Sequence, residues 1–443
     1  MPTPKDRVDA WDPKMTYVIG HQRPDTDAIA SALGYAWYLT SMGETNTVAA
    51  RAGQPGDQAV FALKRFEQAA PLLLSGVAPT FGHVAQEQAY VLPESPLPYA
   101  MQRVAEGARV IPIVDADGRP SGIVTPLALA RAYTAPMNVT QMLAQRCQAI
   151  SEPAVSFSER DRISDHRAAL LRSETDDFVI VSDKGEYVGV ATRRKILEPP
   201  RARLILVDHN ELSQAVADAE EAEIIGVLDH HRLGNAPTNL PIPFVVEPVG
   251  STSTLVGEHC QAHNLNPPPS LAGMLLSGIL SDTLVFRSPT ATDRDIAIAE
   301  WLAKLANVDA RVYGEELLRS APGLSARPAT DILETDRKAY TMGGLMVSIG
   351  QVEVAGLQEL PNRRAELITS LQEMRQREGL SLACIMVTDI VTSRSHMLAV
   401  GETWVMTALP FNRIADGEYD LEDMVSRKKQ LVPTLSAILE ELR

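Results

Sequence analysis

Between positions 20 and 27 the chain reads Gly20-His21-Gln22-Arg23-Pro24-Asp25-Thr26-Asp27, which puts an imidazole and two carboxylates into one short turn. Hard divalent cations take oxygen and imidazole ligands, best presented from the rigid end of a strand. The apolar run Tyr17-Val18-Ile19 predicts such a strand, and Ile29, Leu33 and Trp37 predict a helix after the turn. An Asp near a helix start is equally a cap. The loop alone therefore leaves two readings, metal ligand and helix cap, and partners elsewhere must decide.

Further along, Leu204-Ile205-Leu206-Val207 runs into Asp208-His209-Asn210-Glu211, and Ile224-Ile225-Gly226-Val227-Leu228 runs into Asp229-His230-His231. Near-continuous apolar runs are expected of parallel strands buried on both faces, and ligand sites in such sheets gather beyond the strand carboxyl ends. A fourth contributor is Ser281-Asp282-Thr283, which closes the apolar helical stretch Leu275 to Leu280. Burying Asp282 there costs desolvation that a cation would offset. Each acid or imidazole alone is explained by capping or a core hydrogen bond. Four such sites in one presumed α/β domain point to a shared metal centre.

Composition narrows the function classes. The chain has 443 residues, 45% of them hydrophobic, and a formal net charge of −15. That length predicts about two to four domains, and the acidic balance argues against a general nucleic-acid or membrane-surface binder. Any anionic substrate must be attracted by metals or by placed cations. Met1 to Asp6 lack a signal-peptide apolar core, and no run of about 18 apolar residues appears, so a cytoplasmic protein with no membrane span is expected. Cys147, Cys260 and Cys384 are far apart and suggest neither disulfides nor a thiolate metal site.

Stepping outward to the elements that must hold these groups, the texture changes between about Leu72 and Leu197. Val110 to Gly118 followed by Gly122-Ile123-Val124-Thr125 is echoed by Phe178 to Gly185 followed by Gly189-Val190-Ala191-Thr192. Each copy predicts a strand, an Asp/Gly turn, a second strand and a helix, a repeated supersecondary unit. The tract Arg319 to Pro328, with Pro322 and Gly323, predicts a linker. Beyond it, strands at Ala339 to Met342, Leu345 to Ile349 and Ala383 to Val387 and a charged helix near Ala365 to Glu378 make a second domain. Its last distinctive stretch, Ser426-Arg427-Lys428-Lys429-Gln430, reads either as a solvated surface or as an anion site at the amino end of a helix beginning near Leu431.

The repeat resembles a tandem of CBS domains, modules that commonly bind adenine nucleotides between their two copies. The resemblance implies AMP, ADP or ATP as ligands and Thr125 and Thr192 as nucleotide contacts. Nucleotide-binding members typically carry an Asp three residues after that Thr, where this chain has Ala128 and Lys195. A pseudo-symmetric dimerisation or spacer module is the other reading.

The whole constellation resembles the family II inorganic pyrophosphatases of the DHH phosphoesterase superfamily, in the form carrying an inserted CBS pair. It rests on His21 to Asp27, Asp208 to Glu211, Asp229-His230-His231, Gly250-Ser251-Thr252-Ser253-Thr254, Ser281-Asp282-Thr283, Ser288-Pro289-Thr290 and Ser426 to Gln430. The implied fold is α/β, a parallel-sheet DHH domain in two segments (1–72 and 198–320), the CBS insertion at 73–197, and a mixed-sheet DHHA2 domain at 328–443. The resemblance implies one metal on His21 and Asp25, a second on Asp27 and His230, and Asp208 and Asp282 bridging both. His231 would face substrate, with Lys338, Arg427 and Lys428 as its cationic contacts. A homodimer is also implied. Arg23 stands where Asn is usual, Ala28 where a hydroxyl residue is usual, and Glu353 where Asn is usual.

The implied reaction is hydrolysis of inorganic pyrophosphate to two orthophosphates by a water activated between two metals. His and carboxylate ligation favours Mn²⁺ or Co²⁺ in the tight sites, with Mg²⁺ accompanying substrate. Two other readings stand beside it. One is another superfamily phosphoesterase acting on polyphosphate, short oligonucleotides or cyclic dinucleotides, against which the Ser-Arg-Lys-Lys-Gln motif argues. The other is a non-catalytic adenylate sensor, which predicts eroded metal ligands, whereas all are present.

Overall fold

The computed structural model describes residues 11–234, 238, 240–320, 323–324, 327–354, 356–389, 392 and 394–441. Part of the predicted linker, including Pro322, and the stretch Met1 to Asp6 lie outside the described residues. Two compact units emerge, the first containing residues 1–22, 35–53 and 71–246, the second residues 23–34, 54–70 and 247–443.

In the first unit, strands β1 (Thr16–Ile19), β2 (Thr47–Arg51) and β3 (Leu72–Leu73) are followed by the insertion strands β4 (Ile111–Val114), β5 (Pro120–Val124), β6 (Ser156–Ser158), β7 (Asp177–Val181) and β8 (Tyr187–Thr192), and then by β9 (Arg203–Val207), β10 (Glu223–Asp229) and β11 (Phe244–Val246). Six of these form a sheet of order β11-β10-β9-β1-β2-β3, parallel throughout. The apolar runs are buried as their composition predicts: Ile19, Leu204, Leu206 and Val227 belong to one core with Trp11 and Leu74. From β1 the chain builds outward on one side through β2 and β3, and on the other through β9 and β10. β1 and β9 therefore flank the topological switch point, the place beyond the strand carboxyl ends where sheets of this kind bind ligands.

The repeat is also structural. β4 and β5 form one antiparallel hairpin and β7 and β8 another, with the pairing register shifting at Ile113/Val114 in the first and at Ile180/Val181 in the second. Gly118 and Gly185 sit in the two turns with the same φ of 78°, a backbone region that favours glycine. Thr125 and Thr192 each cap the helix that follows, Pro126–Tyr133 and Arg193–Leu197, accepting from Ala128 N and Lys195 N. The positions that lack Asp are thus the third residues of these helices.

In the second unit, β12 (Lys338–Met342), β13 (Leu345–Val354), β14 (Leu382–Asp389), β15 (Arg394–Gly401), β16 (Asn412–Ala415) and β17 (Glu418–Asp420) form a mixed sheet of order β12-β13-β14-β15-β17-β16. Only β13 and β14 pair in parallel. Alternation along β14 feeds two cores: Ala383, Ile385 and Val387 pack with Leu367, Leu371 and Met374 of the helix Leu360–Glu378, whereas Cys384 and Met386 pack with Leu431, Leu435 and Leu439. Both faces are buried, so β14 reads as one continuous apolar run. The same unit holds the helices Thr252–Ala262, Pro269–Asp282 and Asp293–Ala306. Among the described residues no helix is long and apolar enough to cross a membrane.

Candidate metal centre

In the first unit the polar groups that follow β1, β9 and β10 converge on Asp208. Its carboxylate is 1% exposed, with His21 Nε2 at 3.5 Å, His230 Nε2 at 3.4 Å and His231 Nδ1 at 3.9 Å. Asp208, His230 and His231 offer donor atoms all within 4.8 Å of one another, a set able to hold a cation. Asp208 has a φ of 61°, a left-handed conformation that costs a non-glycine residue roughly 1–2 kcal/mol. Strain at such a position is retained where the site requires it. Burial alone would push the Asp208 carboxyl up, but the adjacent His21 and His230 outweigh it and hold the carboxyl well below its ordinary range. The group is therefore an anion, as metal ligation requires.

A second layer orients this cluster. Asp229, fully buried at the end of β10, accepts from His230 N at 2.8 Å, from His231 N at 3.2 Å and from the Asn210 side chain, and pairs with His231 Nδ1 at 2.9 Å. Burial pushes the Asp229 carboxyl up, but its bonds from His231 and Asn210 prevail and hold it below the ordinary value. The same Asp229 bond raises His231, whose burial works in the opposite sense. His231 is 55% exposed, so with Nδ1 engaged its Nε2 is the nitrogen left for a ligand. His209 is buried with its ring centroid 6.3 Å from that of His21; burial drives it down to about 4, and its Nδ1 lies 2.8 Å from the Val207 carbonyl.

In the second unit Asp27 is fully buried at the start of the helix Thr26–Ser41. Its Oδ1 accepts from Ser251 Oγ at 2.8 Å, Ser253 N at 3.0 Å and Ser253 Oγ at 2.5 Å, and its Oδ2 from Thr252 N at 2.6 Å. The carboxylate thus meets the amino end of the helix Thr252–Ala262, where free N–H groups favour negative charge. The hydroxyl-rich run Gly250 to Thr254 was visible in the sequence, but its task of holding Asp27 was not. Asp25 Oδ1 accepts from Ala28 N at 2.9 Å, the cap contact expected at a helix start. Asp282 ends the helix Pro269–Asp282. One turn before it, a Cβ on Gly278 would lie 2.4 Å from Ser253 Oγ and 2.6 Å from Asp27 Oδ1. Gly278→Ala should therefore displace Asp27 and weaken Mn²⁺ binding by about tenfold, the lower end for a residue that supports a ligand. Alanine favours the helix itself, so the readout is metal affinity by titration; unaltered affinity would contradict the packing argument.

The predicted substrate cations also lie in the second unit. Lys338 opens β12 and Lys428 follows Arg427, and both are exposed. Arg427 differs. The basic run forms a π-helical turn, Arg427–Leu431, rather than the first turn of the α-helix, which spans Val432–Glu441. Arg427 is buried, its Nη2 2.9 Å from Asp336 Oδ2 and its Nη1 donating to the Ile349 carbonyl at 3.2 Å. Gln351 joins this turn to β13, its Oε1 accepting from Arg427 N at 3.0 Å.

In the repeat, Thr192 lines a cavity of about 330 Å³ with Arg109, Asp176, Arg193 and Arg194. Thr125 instead donates to Glu152 Oε2 at 2.8 Å, while Arg131 pairs with Glu152 Oε1 at 3.1 Å.

Comparison with known proteins agrees with this architecture. Residues 15–279 match the model of the DHH family, N-terminal domain, and residues 315–438 match the DHHA2 domain. The chain is 37% identical over 239 residues to the manganese-dependent inorganic pyrophosphatase of Bacillus subtilis, covering 54% of this chain and 77% of that one. It is 36% identical over 277 residues to a protein assigned the same activity in Streptococcus agalactiae, covering 61% and 88%. Among solved structures, a Methanococcus jannaschii protein assigned as a family II inorganic pyrophosphatase aligns over 96% of this chain and 99% of that one, with a TM-score of 0.52 and 25% identity. The chain belongs to the DHH family, among the manganese-dependent inorganic pyrophosphatases.

Proposed function

We propose that this chain hydrolyses inorganic pyrophosphate to two orthophosphates at a two-metal centre. The observation that carries the reading is the buried, strained Asp208 with three imidazoles gathered on it beyond the carboxyl ends of parallel strands. In this proposal His21 and Asp25 would hold one ion and Asp27 and His230 the second, with Asp208 and Asp282 serving both. The donor set is imidazole and carboxylate without thiolate, which suits Mn²⁺ or Co²⁺ in these sites and leaves Mg²⁺ to accompany substrate. When bound, the ions supply Lewis acidity toward water and phosphate oxygens.

The chain's own residues supply the rest. Hydrolysis adds the oxygen of water to one phosphorus and releases the bridging oxygen with the second phosphate. His231, its Nδ1 engaged by Asp229, donates a hydrogen bond or proton from Nε2 to that leaving phosphate. Lys338, Arg427 and Lys428 meet its negative charge, Arg427 in a bidentate fork and the lysines as point charges. Arg427 must exchange Asp336 for phosphate to do so.

Metal removal tests the reading. Chelation should abolish phosphate release from pyrophosphate, and Mn²⁺ should restore it. Mn²⁺ at 100 times its Kd should also stabilise the fold by about 2.7 kcal/mol, read as a rise in Tm. Full activity after exhaustive chelation would sink the proposal.

We propose further that residues 73–197 are a CBS pair through which AMP, ADP or ATP adjusts activity, flanked by DHH segments 1–72 and 198–320 and followed by DHHA2 at 328–443. The cavity at Thr192 supports a site in the second copy, whereas Glu152 occupies the Thr125 hydroxyl in the first. Thr192→Val should abolish AMP binding measured by calorimetry; unchanged binding would assign the nucleotide elsewhere. Two more expectations stand as proposals, a homodimer implied by the resemblance and cytoplasmic residence expected from the sequence pattern, which sedimentation and cell fractionation test.

A further inference from the structure

A second buried carboxylate stands behind Asp27. Asp295, on the helix Asp293–Ala306, is fully buried, and its charge is met by hydrogen bonds from two different elements. Thr292 N and Thr292 Oγ1 each donate to its Oδ2 at 2.7 Å, completing the capping box of its own helix. The remaining donors come from the turn that begins the helix Thr252–Ala262. Gly250 N lies 3.0 Å from Oδ1 and 2.9 Å from Oδ2, and Thr254 Oγ1 donates to Oδ1 at 2.6 Å. A Cβ on Gly250 would lie 2.9 Å from Asp295 Oδ2 and 2.6 Å from Thr283 Cγ2, so the approach requires glycine.

The capping box alone does not require the second set of contacts. They pin Gly250 and Thr254, the two ends of the turn whose middle residues Ser251, Thr252 and Ser253 supply every donor to Asp27 described above. Three of those donors saturate Asp27 Oδ1, because a carboxylate oxygen offers about two lone pairs.

We infer that Asp295 is a positioning residue for the metal centre: by fixing the turn at 250–254 it sets the orientation of Asp27. This rests on the proposed role of Asp27 as a metal ligand. Residues that orient ligands typically change metal affinity ten- to a hundredfold when replaced.

The test is Mn²⁺ titration of the metal-stripped full chain, followed by the electron paramagnetic resonance signal of free Mn²⁺, with Tm recorded on each variant. Asp295→Asn should weaken one Mn²⁺ by about ten- to a hundredfold. Thr292→Ala, which removes the cap but not the contacts to Gly250 and Thr254, should lower Tm and leave Mn²⁺ affinity unchanged. Wild-type affinity in Asp295→Asn, or an equal loss in Thr292→Ala, would overturn the inference. Should Asp295→Asn fail to fold, Thr254→Val removes one donor alone, and unchanged affinity in that variant overturns it as well. Asp27→Asn separates the two levels. If it keeps both ions at wild-type affinity, the ligand reading itself fails; if it loses one while Asp295→Asn loses none, only the positioning role fails.

Discussion

Asp208→Asn is expected to lower kcat for pyrophosphate by about 10³-fold, the scale seen when a group that organises transition-state charge is removed. The carboxylate is buried with imidazoles around it, and its left-handed backbone leaves few other geometries. Asparagine fits the space but removes the negative charge, so the variant should fold and bind less Mn²⁺. The loss should appear in kcat and in metal content measured on the same preparation. Near-normal pyrophosphate hydrolysis by Asp208→Asn would sink the two-metal assignment.

Arg427→Ala should lower kcat/KM for pyrophosphate by about 10²-fold. Its partner Asp336 is 57% exposed, so water can solvate the abandoned carboxylate, while loss of the buried guanidinium and its bond to the Ile349 carbonyl should lower stability by about 1–3 kcal/mol, read separately as a fall in Tm. Arg427 N keeps its bond to Gln351 because that contact is made by backbone. Arg427→Lys should recover only part of the loss, since a lysine cannot form the bidentate fork. Lys429→Ala, two residues further along and exposed, serves as the control. Unchanged kinetics in Arg427→Ala would reduce the residue to a buried structural ion pair.

The first half of the centre was legible because strand ends announce themselves. β1, β9 and β10 are apolar runs that stop abruptly at His21, Asp208 and Asp229-His230-His231, and parallel strands deliver such residues to one edge. The repeat was legible for a similar reason: its Gly and Thr positions recur in step, and the structure shows the same turn and the same register shift in both copies.

Other features depend on partners that a linear pattern does not name. The burial of Arg427 follows from Asp336 and the Ile349 carbonyl, both far away in the chain. A basic run at a helix start is ordinarily solvated, and nothing in its own spacing foretells the π-helical turn. The hold on Asp27 comes from backbone N–H groups and serine hydroxyls, which are common everywhere. Asp295 carries no signal beyond a capping box, because its second set of contacts is made to a glycine N–H and a threonine.

The most direct test of the central claim is phosphate release by the Mn²⁺-loaded protein from pyrophosphate, compared with ATP, polyphosphate and linear and cyclic dinucleotides at equal concentration. Pyrophosphate should be hydrolysed orders of magnitude faster than any of the others. Faster release from polyphosphate or a dinucleotide, with pyrophosphate left intact, would contradict it.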